Sequence, residues 1–248
     1  MDKSSTPHTA QRPFEDTSSG VAPPKRPRGR PPKTSEERDD GNRRQALLSA
    51  AAKLFRTQGF DATTTRDIAA AVGMHSGSPF YHFKSKSALL FAVMEEGMRA
   101  AIARQSAALQ TRSLAASALL NSELLTPIHG AQDALLAVLV RNHLDILLGP
   151  DADFIPVMLY EWRSLNPRQR KQITLIKDEY EAVWTPVLLA LHAAGRLGCE
   201  VKLARLMIFG ALNWTAQWYD PRKVPQGGAS LDDLTTAAIA LFLNKDTA

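Results

Sequence analysis

From residue 42 onward, apolar side chains recur at intervals of three and four, and two-residue alternation is hard to find, so the chain predicts helices nearly throughout. The first spans Asn42 to Gln58, with Leu47, Ala51, Leu54 and Phe55 on one side. A short second helix starts at Thr64 or Thr65, carries Ile68, Ala69 and Val72, and stops at Gly73. A third runs from His75 or Ser76 to His82, and a fourth begins near Ser85 or Ser87 and buries Leu89, Leu90, Val93 and Met94. Beyond these, longer amphipathic helices are expected at Glu95–Gln110, Leu114–Leu125, Gly130–Leu148, Phe154–Asn166, Pro167–Gly195, Glu200–Tyr219 and Leu231–Asn244. The longest carries Pro186 in its interior, which predicts a kink. The fold class is all-α: a disordered tail over 1–41, a three-helix unit over 42–94 and a larger helical domain over 95–248.

The second and third helices carry the most specific signal. Thr64 and Asp67 have the spacing of a capping box, in which the hydroxyl takes an orphan amide and the carboxylate reaches back. Gly73 supplies the left-handed residue that ends the helix. Pro79 is tolerated only in a first turn, so the next helix begins among His75 to Ser78 with small polar residues that can approach base edges. Phe80 and Phe83 are expected to pack inward, leaving Tyr81 and His82 outside.

These positions, with Gly59-Phe60, Val72-Gly73, Tyr81-His82-Phe83 and Lys84-Ser85-Lys86 before Leu89-Leu90, resemble the DNA-binding domain of TetR-family bacterial transcriptional regulators. The resemblance implies a homodimer on a palindromic operator in double-stranded DNA. It directs attention to Arg43, Arg44, Thr64, Thr65, His75, Ser76, Ser78, Tyr81, His82 and Lys86 as DNA contacts. The family usually places a phosphate-binding Tyr two residues before the His; here that position is Phe80, and either Tyr81 takes over the contact or it is absent.

Charge adds a second DNA signal. Residues 1–44, the tail with the start of the first helix, hold 10 of the 30 Lys and Arg against 7 of the 25 acids, a net +3 of the chain's +5. Within it, residues 23–33 read PPKRPRGRPPK, and Arg28-Gly29-Arg30-Pro31 resembles the core of an AT-hook. Two arginines flanking a glycine suit a narrow A·T-rich minor groove. This leaves an alternative open, an architectural A·T-rich-DNA-binding protein dominated by its tail.

The larger domain resembles the ligand-binding half of the same family, and the last two helices are expected to form the dimer interface. The segments Tyr160-Glu161-Trp162-Arg163 and Asn213-Trp214 through Trp218-Tyr219 are similar to members released from DNA by acyl-CoA thioesters. A thioester effector would need an apolar tunnel and basic groups at its mouth, which proposes Trp162, Trp184, Phe209 and Trp214 as lining with Arg141 and Arg163 as basic groups. One cysteine excludes an internal disulfide framework, no run is long enough for a membrane span, and a cytoplasmic protein is expected. Neither metal-spaced histidines nor a Gly-rich phosphate loop occurs, so no cofactor, metal or catalysis is expected.

Overall fold

The computed structural model describes residues 35–74, 79–120, 130–150 and 152–244. Among them only helices and turns occur. The all-α expectation holds. α1 (Ser35–Gln58) buries Leu47, Leu48, Ala51, Ala52 and Phe55 on one stripe and ends at Gly59, whose φ of 82° reverses the chain. It starts earlier than expected: residues 35–41, assigned to a disordered tail, form its first two turns. No apolar side chain lies between Ser35 and Gln45.

α2 (Thr65–Ala71) and α3 (Pro79–His82) follow, and then α4 (Lys86–Leu120), a single helix of 35 residues. The expected break near residue 95 does not exist, because Gly97 is the only weak helix former between Met94 and Arg99 and is there for packing. A Cβ on Gly97 would lie 2.1 Å from the ring of Phe154. α4 therefore serves both domains: Leu89, Leu90, Val93 and Met94 are buried in its first turns, Met98, Ala101 and Gln105 further along.

In the second domain, α5 (Ala131–Leu148) packs against α4, α8, α9 and α10. α6 (Phe154–Tyr160) ends in a 3-10 turn at Trp162–Ser164, splitting the helix expected over 154–166. The helix expected over 167–195 is also two, α7 (Pro167–Ala182) and α8 (Trp184–Ala193), divided at Val183. Pro186 explains the break, since its ring crowds the carbonyl four residues back, at Ala182, and it has no amide to donate. α9 (Val201–Trp214) and α10 (Leu231–Phe242) close the domain, the latter started by a Ser230–Asp233 capping box. Trp184 is 0 % exposed at the centre of the domain.

Candidate nucleic-acid interface

The helix-turn-helix is built as its sequence dictates. Asp67 donates its amide to Thr64 Oγ1 at 3.1 Å, and its carboxylate accepts from the Thr64 amide at 2.8 Å and hydroxyl at 2.7 Å. These bonds hold the Asp67 carboxyl below its usual range. Gly73 adopts φ 69°. Pro79 occupies the first position of α3, Phe83 just beyond its end is 6 % exposed, and Tyr81 is 83 % exposed with its ring edge-on to half-buried His82. A buried aromatic thus anchors the one-turn helix while its neighbour faces solvent.

Three expected DNA ligands also make contacts within the chain. Lys86 donates to the carbonyls of Phe60 at 2.7 Å, Thr63 at 2.9 Å and Asp61 at 3.3 Å, and its ammonium lies 4.3 Å from the Phe60 ring centroid. Its three protons meet three carbonyls, so it clamps the α1–α2 loop. Arg44 pairs with Glu96 of α4 and lies 5.2 Å from the Phe83 ring centroid, bracing α1 against the domain. Thr64 commits its only hydroxyl proton to the cap. Arg43 is exposed and Thr65 half-buried. His75, Ser76 and Ser78, like Arg28 and Arg30 of the tail, lie outside the described residues.

The domain is tied to the second one by contacts that sequence reasoning missed. Glu161, at the end of α6, accepts the amide of Phe60 at 2.9 Å, and Asp153 pairs with Arg56 of α1 at 2.8 Å. The Tyr160-Glu161-Trp162-Arg163 segment stood out in the sequence, but for its tryptophan and arginine rather than for the carboxylate.

The expected effector residues do not converge. Trp184 and Phe209 are core, 0 % and 8 % exposed with ring centroids 4.7 Å apart. Beside them the buried His143 sits between the Tyr180 hydroxyl and Asn213, and Gln105 bonds both the Trp184 indole and the Tyr180 carbonyl. Trp214 is 65 % exposed, because at about 100° per residue it lies some 140° around α9 from Phe209. Trp162 is half-buried against the core, and Arg163 is exposed on the 3-10 turn. Arg141 borders a cleft of about 420 Å³ between α4, α5 and α10, lined in part by Ala108, Ala134, Ala137 and Val138. There it pairs with Asp145 on its own helix and with Asp232 on α10.

Two family models match this architecture: residues 47–93 match "Bacterial regulatory proteins, tetR family" and residues 129–245 match "Tetracyclin repressor-like, C-terminal domain". The chain belongs to the TetR family. TetR relatives span nearly all of it: the HTH-type transcriptional repressor KstR2 of Rhodococcus jostii is 26% identical over 219 residues, covering 86% of this chain and 96% of that protein. Among solved structures, superantigen PfiT is 36% identical with a TM-score of 0.62, covering 82% of this chain and 97% of its own. AibR, solved with isovaleryl coenzyme A and operator DNA, shares the fold at 19% identity and a TM-score of 0.65, covering 81% and 97%. Both TetR matches fall on the helical domains, which places the chain with bacterial regulators and lends the tail-dominated architectural alternative nothing. No helix among the described residues is long and apolar enough to cross a membrane.

Proposed function

We propose that the chain is a homodimeric repressor that binds a palindromic operator through α2 and α3 and leaves it when an acyl-CoA or another lipophilic or aromatic ligand occupies the second domain. The observation that carries the DNA half is Tyr81, 83 % exposed on a one-turn helix anchored by buried Phe83. The DNA contacts we assign among the described residues are Tyr81, His82, Arg43 and Thr65, with Arg44, Thr64 and Lys86 holding the domain's shape beside them, and His75, Ser76 and Ser78 are assigned from the sequence. One such helix reads too few base pairs to be specific, and a twofold pair doubles the site. An apolar face suited to that pairing is exposed on α9 and beyond it: Leu203, Leu206, Met207, Trp214 and Trp218, with Leu241 on α10.

For the effector, the cleft at Arg141 is the best fit. Ala108, Ala134, Ala137 and Val138 give it an apolar side, Arg112 and Arg141 supply cations, and Asp145 and Asp232 now hold Arg141. An anionic headgroup entering there competes with Asp232 for Arg141 and so loosens α10 from α5. Because α10 shares the apolar face, occupancy would change how two copies sit and hence the spacing of their α3 helices. The shift in operator affinity is bounded by the effector's differential affinity for the two arrangements. AibR, of the same fold, was solved with isovaleryl coenzyme A and operator DNA, which supports this class of ligand. We read the protein as cytoplasmic and without catalytic activity, in keeping with relatives named as transcriptional repressors.

The test is selection of a preferred duplex from a randomised pool by the full chain, followed by gel shifts with short-, medium- and long-chain acyl-CoAs. A palindromic core released by at least one thioester is expected. Retention with every thioester removes the effector assignment, and the absence of any preferred core removes the repressor.

A further inference from the structure

Resting on the reading of the Arg141 cleft as the effector site, we propose that Asn142 is its specificity residue, whose side-chain amide donates to the carbonyl oxygen of an acyl thioester. Asn142 follows Arg141 on α5 and lines the same cleft. Its Nδ2 is shut off from solvent and meets no acceptor among the described residues. Nearby carboxylates are already committed: both oxygens of Asp145 accept from Arg141, and Asp232 of α10 pairs with Arg141 as well. A covered amide without a partner lowers stability, since it has given up water for nothing. An apolar side chain of similar size would avoid that cost, so the carboxamide calls for an acceptor from outside the chain.

The surroundings define which acceptor fits. Ala134, Ala137 and Val138 line the cleft one and two turns before Asn142, and Val138, four residues back, shares its stripe. From Ala134 to Asn142 the helix rises about 12 Å, a wall for an acyl chain of several carbons that ends at the amide. The cleft of about 420 Å³ takes the acyl end of such a ligand and leaves the nucleotide outside. There the long stem of Arg141 carries its guanidinium to a phosphate on the flexible pantetheine arm. Reaching the covered amide takes the movement already described: a phosphate that draws Arg141 from Asp232 frees α10 from α5 and opens the wall in which Asn142 stands. The amide finds its acceptor only in that opened arrangement. Its bond therefore adds to the ligand's preference for the arrangement that releases DNA, the quantity that limits the response.

The test compares butanoyl-, octanoyl- and palmitoyl-CoA with their S-alkyl counterparts, thioethers that lack only the carbonyl oxygen, by calorimetry on the full chain. The unsubstituted chain should bind at least one thioester about tenfold more tightly than its thioether, the order of one hydrogen bond to a neutral acceptor. Asn142→Leu should bind the two alike. Its urea midpoint without ligand should not fall, because the amide it removes has no partner there. Equal binding within every pair by the unsubstituted chain overturns the proposal, as does a preference that survives in Asn142→Leu. A midpoint that falls makes Asn142 a structural residue and overturns it too. Ala137→Phe and Ala134→Phe, which fill the cleft, should lose thioester and thioether together. Thioester binding that persists in either variant puts the effector elsewhere and removes the cleft reading, and binding of no thioester removes the acyl-CoA reading; this proposal falls with each.

Discussion

The Nδ1 of His143 lies 3.0 Å from the hydroxyl of Tyr180, deep between α5 and α7. Its Nε2 lies 3.1 Å from Asn213 Oδ1, an acceptor, so Nε2 carries the proton and Nδ1 accepts from the phenol. The pair is a neutral hydrogen-bonded plug in an aromatic core, with the Phe209 centroid 5.3 Å from the imidazole. Burial also pushes the Tyr180 hydroxyl up.

A pH dependence of stability follows. Burial lowers His143 from 6.5 to about 4, against the Asn213 hydrogen bond, which favours the charged ring. Between those values the unfolded chain holds the extra proton, so stability is full above about 6.5 and falls as pH drops toward 4. The loss is on the order of 3 kcal/mol. Urea unfolding across that window should show it, and His143→Gln should flatten the slope.

Lys86→Met separates a clamp from a phosphate ligand. Removing the donor shared by the carbonyls of Phe60, Asp61 and Thr63 should destabilise the protein by on the order of 1–2 kcal/mol, discounted for partial exposure. The salt dependence of duplex binding should keep its slope. A slope shallower by about 0.9 would restore Lys86 to the phosphate contacts.

Gly97→Ala tests the notch that seats α6 on α4. The new methyl meets the Phe154 ring 2.1 Å away, so overpacking of about 1–3 kcal/mol should outweigh the gain of up to about 1 kcal/mol in helix propensity. Phe154→Ala should relieve the conflict, and a double-mutant cycle in urea should report a large coupling between the two sites.

Leu206→Glu places a charge on the apolar face of α9, where Leu206 is 58 % exposed in the single chain. Sedimentation should show a shift from dimer to monomer with helical content unchanged. Dimers that persist at micromolar concentration would move the interface off α9.

Much of the DNA-binding half was legible in sequence because its determinants are local. Thr64 and Asp67 close their capping box with their own backbone and side chains, Gly73 reverses the chain because it has no Cβ, and Pro79 is confined to a first turn. The kink at Pro186 was readable for the same reason. What the tertiary structure alone decided is where long side chains go once helices meet. Lys86 and Arg44 read as phosphate ligands in the sequence, and packing alone shows that they also meet the α1–α2 loop carbonyls and Glu96. Trp184 and Trp214 look alike until helix phase buries one and exposes the other. Gly97 looks like a break until Phe154 fills it. Periodicity determined which faces are apolar; only packing determined which partner each face met, because that choice depends on residues distant in sequence.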